Sequence, residues 1–413
     1  MSYLELSLDL AEDHAALRDS VRRFAIEQVR PTSLLLDKMT PEEVIAPGSP
    51  YWTLMKKMYE LGYHTVLIPD AYGGLGLDPI ANHIFWEEMA YGSVGLAVSL
   101  GCAAFGPFIC AMMAEDELTE AYITPFVECR DASVMSCWGI TEPNHGSDNL
   151  MPGGPQFFNP KITQQVKAAK KGDQFVLSGQ KSAWISNGTI ASNSMLFCNL
   201  DPSMGLAGGG ICLVDLTQAG VSRGKPLDKL GQRDLPQGEV YFDEAVVPAG
   251  HFICDQESYT MITDMVVALA NAHMGAFFTG VARSAYDLAL QYSTERVQGG
   301  KRLCEHPTIQ RRLFDMFSKI EASRYLSRAA MVYNMSTTPP NTKYSIASKV
   351  FCTQAAFEVA SDALQIFGGY GLTKEYPIEK IFRDARAGLI EDGANDSLAL
   401  HAASDIVREA LES

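Results

Sequence analysis

Residues Ser133–Asp148, SVMSCWGITEPNHGSD, mark the point at which the chain changes texture. Upstream, Leu17, Val21, Phe24 and Val29 recur at helical spacing, which predicts a helix over Ser7 to Val29 ended by Pro31. Further helical patterns cover about Pro50 to Leu61, Pro79 to Tyr91 and Thr119 to Val127. From Ser133 to Cys254 the apolar runs shorten to Val134–Ile140, Phe175–Ser178, Met195–Leu200, Gly210–Leu216 and Glu239–Phe242, bounded by Gly, Asn, Asp and Pro. Such runs predict a compact antiparallel β domain. Within it Met151 to Lys161, rich in Pro, Gly and Phe, reads as a surface loop. Beyond Gln256 long helical patterns return over 256–297, 307–335, 342–367 and 395–412, as an up-down bundle would require. The expected class is therefore α+β in three domains: helical over 1–132, β over 133–255, and a helical bundle over 256–413.

A chain of 413 residues that is 47% hydrophobic and 20% charged has apolar side chains enough for a large core, which excludes a disordered or fibrous protein. Its 49 acidic and 33 basic residues leave a net charge of −16, and with no strongly basic patch a nucleic-acid partner is not expected. The nine cysteines show no metal-ligand spacing and read as reduced, mostly buried thiols. Met1 to Arg30 contains acidic residues and no long apolar run, so no export signal is expected and the predicted location is cytoplasmic. Met89 to Ala114 is uncharged and long enough to cross a bilayer, but it holds several glycines and Pro107 and has acidic flanks. The expectation is two buried helices separated at Gly106-Pro107 and no membrane span. Met265 to Ala282 should be buried on all sides, at a subunit contact.

The glycine clusters at 73–76, 208–210 and 368–371 fit neither a dinucleotide fingerprint nor a P-loop, and there is no His-Glu-x-x-His or Gly-x-Ser-x-Gly. The sharpest local signal is Trp138 to Asp148, a strand running into a turn crowded with hydroxyls. Its N–H and O–H groups suit the heteroatom edge of a ring cofactor, although a simple capped turn has the same composition. A second turn, Lys181 to Gly188, sets the Trp184 face beside Ser186. His145 and His273 are assigned satisfied structural roles, and Arg383-Asp384 a structural ion pair.

These residues carry a resemblance that extends over almost the whole chain. Gly62 to Leu77, Glu87 to Gly92, Thr141-Glu-Pro143, Trp184 to Gly188, Leu230 to Arg233, Glu295-Arg296, Gln365 to Gly371 and Tyr376 to Ala385, in that order, resemble the acyl-CoA dehydrogenase family of FAD flavoproteins. The resemblance implies an N-terminal helical domain, a middle antiparallel β domain and a C-terminal four-helix bundle, with FAD between the last two. It implies that Trp138, Ile140, Thr141 and Ser147 line the flavin or the acyl-CoA thioester, and that Trp184 and Ser186 contact the flavin ring. Arg296, Gln365, Gly368 and Gly369 would hold the pyrophosphate and adenosine end, some of them from a neighbouring subunit of a homodimer or tetramer. An electron-transferring flavoprotein would receive the electrons.

Removing a thioester Cα proton needs a carboxylate base and donors to the carbonyl oxygen. Where familiar members of the family have Glu, this chain has Asp392, within Leu389 to Asn395, and the second known location for the Glu aligns near Ala270 and Asn271. Asp392 is thus the predicted base and substrate contact, with Glu391 as rival, its side chain expected to turn away by one-residue alternation. The shorter acid, Gly299 and Ala394 depart from the straight-chain pattern and suggest an alicyclic thioester such as a cyclohexanecarboxyl-CoA. Two competitors are a nitroalkane-oxidase-like flavoprotein, which resembles this superfamily and uses an Asp here, and a non-catalytic flavin-binding scaffold.

Overall fold

The computed structural model describes residues 6, 10–113 and 115–412. The N-terminal third is helical, with Pro50–Glu60, Pro79–Gly92 and Val94–Met113 as its main elements. The first helix, Glu12–Phe24, runs through a π-helical turn at Ala25–Val29 into Arg30–Leu36, so Pro31 does not end it. The proline falls in the first turn after the widened segment, where its missing N–H costs little. The expected start at Ser7 lies outside the described residues.

The uncharged stretch does form two buried helices, but they part at Ser93 and not at Gly106-Pro107. Ser93 is extended, its hydroxyl accepts the Leu96 N–H at 3.4 Å, and it donates to Asp234 at 2.6 Å, so it caps the second helix. Gly106 serves close packing: a Cβ there would lie 2.6 Å from Ser136 Oγ, so this helix presses directly onto the sheet. Val94–Met113 and Tyr259–Glu295 are apolar and long enough to span a membrane, but 89% and 94% of their most apolar stretches are buried inside the fold.

The middle region is one eight-stranded sheet of β1 (Ser136–Gly139), β2 (Lys167–Lys171), β3 (Gln174–Lys181), β4 (Asn193–Asn199), β5 (Gly209–Asp215), β6 (Val221–Arg223), β7 (Val240–Pro248) and β8 (Phe252–Cys254). The order is β6-β7-β3-β2-β4-β5-β8, antiparallel except that β1 and β2 each pair parallel with β4. β4 is buried along its whole length, as a strand covered on both faces must be. The Met151 to Lys161 segment is anchored and not a free loop: Phe157 is buried and its ring stacks on Tyr259 with centroids 6.0 Å apart.

Four long helices, Tyr259–Glu295, Pro307–Ser336, Thr342–Phe367 and Asn395–Glu412, form the bundle, with the shorter Ile378–Ala387 beside them. A buried charge network ties the bundle to the N-terminal helices. Glu87 pairs with Arg283 at 2.7 Å and Arg324 at 3.1 Å, and Glu88 pairs with Arg283 and Arg22. Burial alone would raise the Glu87 carboxyl, but Arg324 and Arg283 outweigh it and hold it well below the usual carboxylate range. Arg383 and Asp384 do not pair with each other: Arg383 reaches Asp37 and Glu379, each at 2.7 Å, and Asp384 takes Lys380 at 2.5 Å. Adjacent helical residues point in different directions, which is why neither can satisfy the other.

Opening one side of a buried ion network costs about 3–5 kcal/mol. Glu87→Gln should accordingly lower the unfolding free energy by that amount, seen as a lower denaturant midpoint at unchanged slope; a free energy within about 0.5 kcal/mol of the parent would show the network to be dispensable.

Candidate active site

Between the sheet, the helix Tyr259–Glu295 and the segment 383–393 lies a cavity of about 520 Å³. Trp138, Ile140, Thr141, Ser147, Trp184, Ser186 and Asp392 all line it. The turn after β1 is fixed by a buried ion pair: Glu142 accepts from Lys181 Nζ at 2.7 Å and from the N–H groups of Gln165 and Val166 at 2.5 and 3.0 Å. Lys181 also donates to the Ile140 carbonyl at 3.2 Å, so strand, turn and β3 are locked as one wall. Just beyond β3, Gln237 Nε2 donates to the Trp184 carbonyl and to Ser186 Oγ, both at 3.1 Å, and the Trp184 indole is 57% exposed beside the cavity.

The remaining four predicted residues are elsewhere. Arg296, Gln365, Gly368 and Gly369 gather in a separate open hollow with Tyr370, over whose ring the Arg296 guanidinium sits at 5.4 Å. The helix Thr342–Phe367 connects the two places, and Lys349, beside the first cavity, is about 24 Å along that helix from Gln365.

The loop that carries Asp392 is held from three sides. Lys349 Nζ donates to the Gly393 carbonyl at 2.6 Å and to Asn395 Oδ1 at 2.8 Å, and Asn271 Nδ2 reaches the Asp392 carbonyl at 3.4 Å. The Ala394 N–H donates to Ser147 Oγ at 2.9 Å, so Ser147 both lines the cavity and fastens the loop to the β domain. Asn271, one of the two positions at which the base was found missing, thus supports the loop instead. Asp392 and Gly393 have φ of +52° and +97°, and a side chain at 393 would also strike Leu398. The Asp392 N–H makes no hydrogen bond among the described residues.

This left-handed bend overturns the expectation for Glu391. Instead of alternating to the far side, Glu391 lines the same cavity as Asp392, where Gln232 Nε2 donates to it at 2.7 Å. Burial raises the Asp392 carboxyl to about 6 against the pull of Lys349. Burial and the neighbouring Asp392 raise Glu391 to about 7, with Gln232 and Lys349 opposing. Burial lowers Lys349 to about 8, while Asp392 and Glu391 pull it back up.

Asp392 also borders a smaller apolar hollow beyond the cavity, with Trp86, Phe105, Met274 and Phe277 in its wall. Of the two histidines, His145 is engaged at both ring nitrogens, by Asp148 at 2.6 Å and the Thr163 carbonyl at 3.0 Å. His273, expected to be satisfied, is bonded at Nδ1 alone among the described residues. Gln232 stood within a quoted motif without a role, and Lys229 and Arg386 were not singled out; all three line the cavity. Their signal was weak, because Lys229 and Gln232 are polar side chains in a loop, where no periodicity betrays them, and Arg386 is one of several charges on the helix Ile378–Ala387.

The chemistry of this cavity fits a flat heteroaromatic ring with a polar edge: a bare indole face and three hydroxyl side chains, Thr141, Ser147 and Ser186. Sequence profiles of one family match the chain in three consecutive pieces: Acyl-CoA dehydrogenase, N-terminal domain over residues 11–130, middle domain over 137–245 and C-terminal domain over 265–406. The cyclohexane-1-carbonyl-CoA dehydrogenase of Geobacter metallireducens is 30% identical, covering 97% of this chain and 99% of that protein. The mitochondrial short-chain specific acyl-CoA dehydrogenase of Rattus norvegicus is also 30% identical, over 97% of this chain and 92% of its own. Among solved structures, a glutaryl-coenzyme A dehydrogenase in complex with glutaryl-CoA superposes with a TM-score of 0.86 at 26% identity, over 98% of this chain and 97% of that one. Fold, site and ancestry agree: the chain belongs to the acyl-CoA dehydrogenase family, oxidoreductases acting on CH–CH bonds, whose members bind FAD.

Proposed function

We propose that this chain dehydrogenates a compact, alicyclic acyl-CoA with FAD as cofactor and Asp392 as the base. The observation that carries the reading is the place of Asp392, a partly buried carboxyl raised to about 6 that borders both the cavity and the apolar hollow. Glu391 borders the cavity but not that hollow and is held by Gln232, which favours Asp392 for the proton. Trp138, Ile140, Thr141, Ser147, Trp184 and Ser186 would hold the ring of the cofactor and the thioester against it. Bound FAD supplies the two-electron acceptor for the hydride leaving Cβ. Asp392 takes the Cα proton, and its unengaged backbone N–H donates to the thioester carbonyl, where negative charge develops.

The narrow hollow and its aromatic wall suit a ring better than a long flexible chain, and the relative from Geobacter metallireducens is named for a cyclohexane carboxyl thioester. Arg296, Gln365, Gly368 and Gly369, in the separate hollow, serve the pyrophosphate end of a cofactor shared with a second copy. Self-association is supported by the apolar outer groove of the bundle, where Ile346, Val350, Phe351, Ala402 and Ile406 lie together. Electrons pass on to an electron-transferring flavoprotein, and the enzyme works in the cytoplasm.

Because burial raises the Asp392 carboxyl, the basic form is lost as pH falls through about 6. The rate of flavin reduction should rise with pH to a plateau above that value. Asp392→Asn should lower the plateau by at least about 10²-fold with the yellow cofactor retained, whereas Glu391→Gln should keep activity within about tenfold. Stopped-flow absorbance decides between them, and the opposite ranking would transfer the role to Glu391. Anaerobic titration should bleach the bound flavin with cyclohexanecarboxyl-CoA more readily than with octanoyl-CoA; reduction by the straight chain alone would discard the alicyclic assignment.

A further inference from the structure

The hollow beyond Asp392 has a volume of about 40 Å³, room for roughly three water-sized groups. It adjoins the main cavity: Val98, Cys102, Trp138, Met274 and Asp392 border both. A substrate whose Cα faces Asp392 therefore extends its far end into this space. The wall is aromatic and aliphatic, and besides the Asp392 carboxylate it holds one further strong acceptor.

That acceptor is His273. Its Nδ1 lies 2.7 Å from the Leu269 carbonyl one turn back in the same helix, and a carbonyl can only accept, so Nδ1 carries the proton. Nε2 is then a bare lone pair on the opposite side of the ring. The residue is only 5% exposed and Nε2 has no partner among the described residues. Burial lowers the imidazole to about 4, despite the Leu269 carbonyl, so the lone pair stays available at neutral pH. Two donors accompany it: Trp86 and Trp138, whose rings also wall the hollow, have buried Nε1 groups without partners among the described residues.

A buried acceptor accompanied by buried donors is matched by a small group that both donates and accepts. A ketone or ether cannot donate to Nε2, and an ammonium cannot accept from the two indole N–H groups. We infer that the acyl group bears a hydroxyl at the end remote from the thioester, and that His273 Nε2 accepts its hydrogen bond as the residue that selects this substrate. The inference rests on the acyl-CoA reading above and specifies its substrate class. On a six-membered ring, carbon 4 is the position farthest from the thioester, so the expected substrate resembles a 4-hydroxycyclohexanecarboxyl-CoA.

The test is isothermal titration of the FAD-loaded enzyme with 4-hydroxycyclohexanecarboxyl-CoA and with cyclohexanecarboxyl-CoA, repeated on His273→Phe, which keeps a flat ring beside Trp86. The hydroxylated thioester should bind at least about tenfold more tightly to the parent protein, and the variant should bring the two within about twofold. Equal affinities in the parent protein overturn the inference whether or not the variant folds, and so does a preference that survives in the variant. Preferential binding without flavin reduction upholds the hydroxyl site and defeats the dehydrogenation of this substrate. Flavin reduction by both thioesters without preference does the reverse, and failure of both to bind removes the two readings together.

Discussion

A lysine ammonium inside the bundle sets the geometry on which the site depends. Lys349 spends its hydrogen bonds on the Gly393 carbonyl and the Asn395 side chain, thereby pinning the loop that joins Ile378–Ala387 to the last helix. Hydrogen bonds from a charged donor contribute about 1.5–3 kcal/mol each, enough to hold Asp392 and Gly393 in left-handed conformations that a free loop would abandon. The same charge lies close enough to Asp392 to favour its ionised form while burial opposes it. One side chain thus both positions the acid and moderates its acidity.

The other contacts of the loop make it a meeting point of all three regions. Ser147 attaches it to the β domain, Asn271 to the longest helix, and Gln232 to the segment that precedes β7. Gln232 is itself fixed by Asp384, whose carboxylate receives its N–H at 2.5 Å and also pairs with Lys380. Lys380 approaches Asp234 at 3.4 Å, and Asp234 is capped by Ser33 and Ser93 from the N-terminal helices. A continuous polar chain therefore runs from the first helices to the catalytic loop, and buried polar chains of this kind specify geometry more than they add stability.

Much of this was legible in the sequence where periodicity speaks. The bundle helices fall close to the long helical patterns over 256–297, 307–335, 342–367 and 395–412, because a long apolar stripe at helical spacing has one physical solution. Strand β2, Lys-Ala-Ala-Lys-Lys, was unreadable because its pairing with β3 compensates for a composition poor in strand formers. The break at Ser93 was misplaced because Gly106 resembles a helix breaker and is in fact a contact glycine, a distinction visible only once Ser136 lies against it. Among site residues, those inside a strand-turn motif, such as Trp138 and Thr141, were readable, and the cavity gathers them. Glu391, Gln232 and His273 were not, since their roles follow from a left-handed φ, a loop across the cavity, and a ring nitrogen left over by a neighbour's carbonyl.

The most direct measurement of the central claim is a crystal structure of the FAD-loaded enzyme with a non-reacting thioether analogue of its acyl-CoA. The account predicts an Asp392 carboxylate oxygen within about 3.5 Å of the carbon that corresponds to Cα, with Glu391 still on Gln232. Glu391 at that carbon, or Asp392 turned toward bulk water, would contradict it.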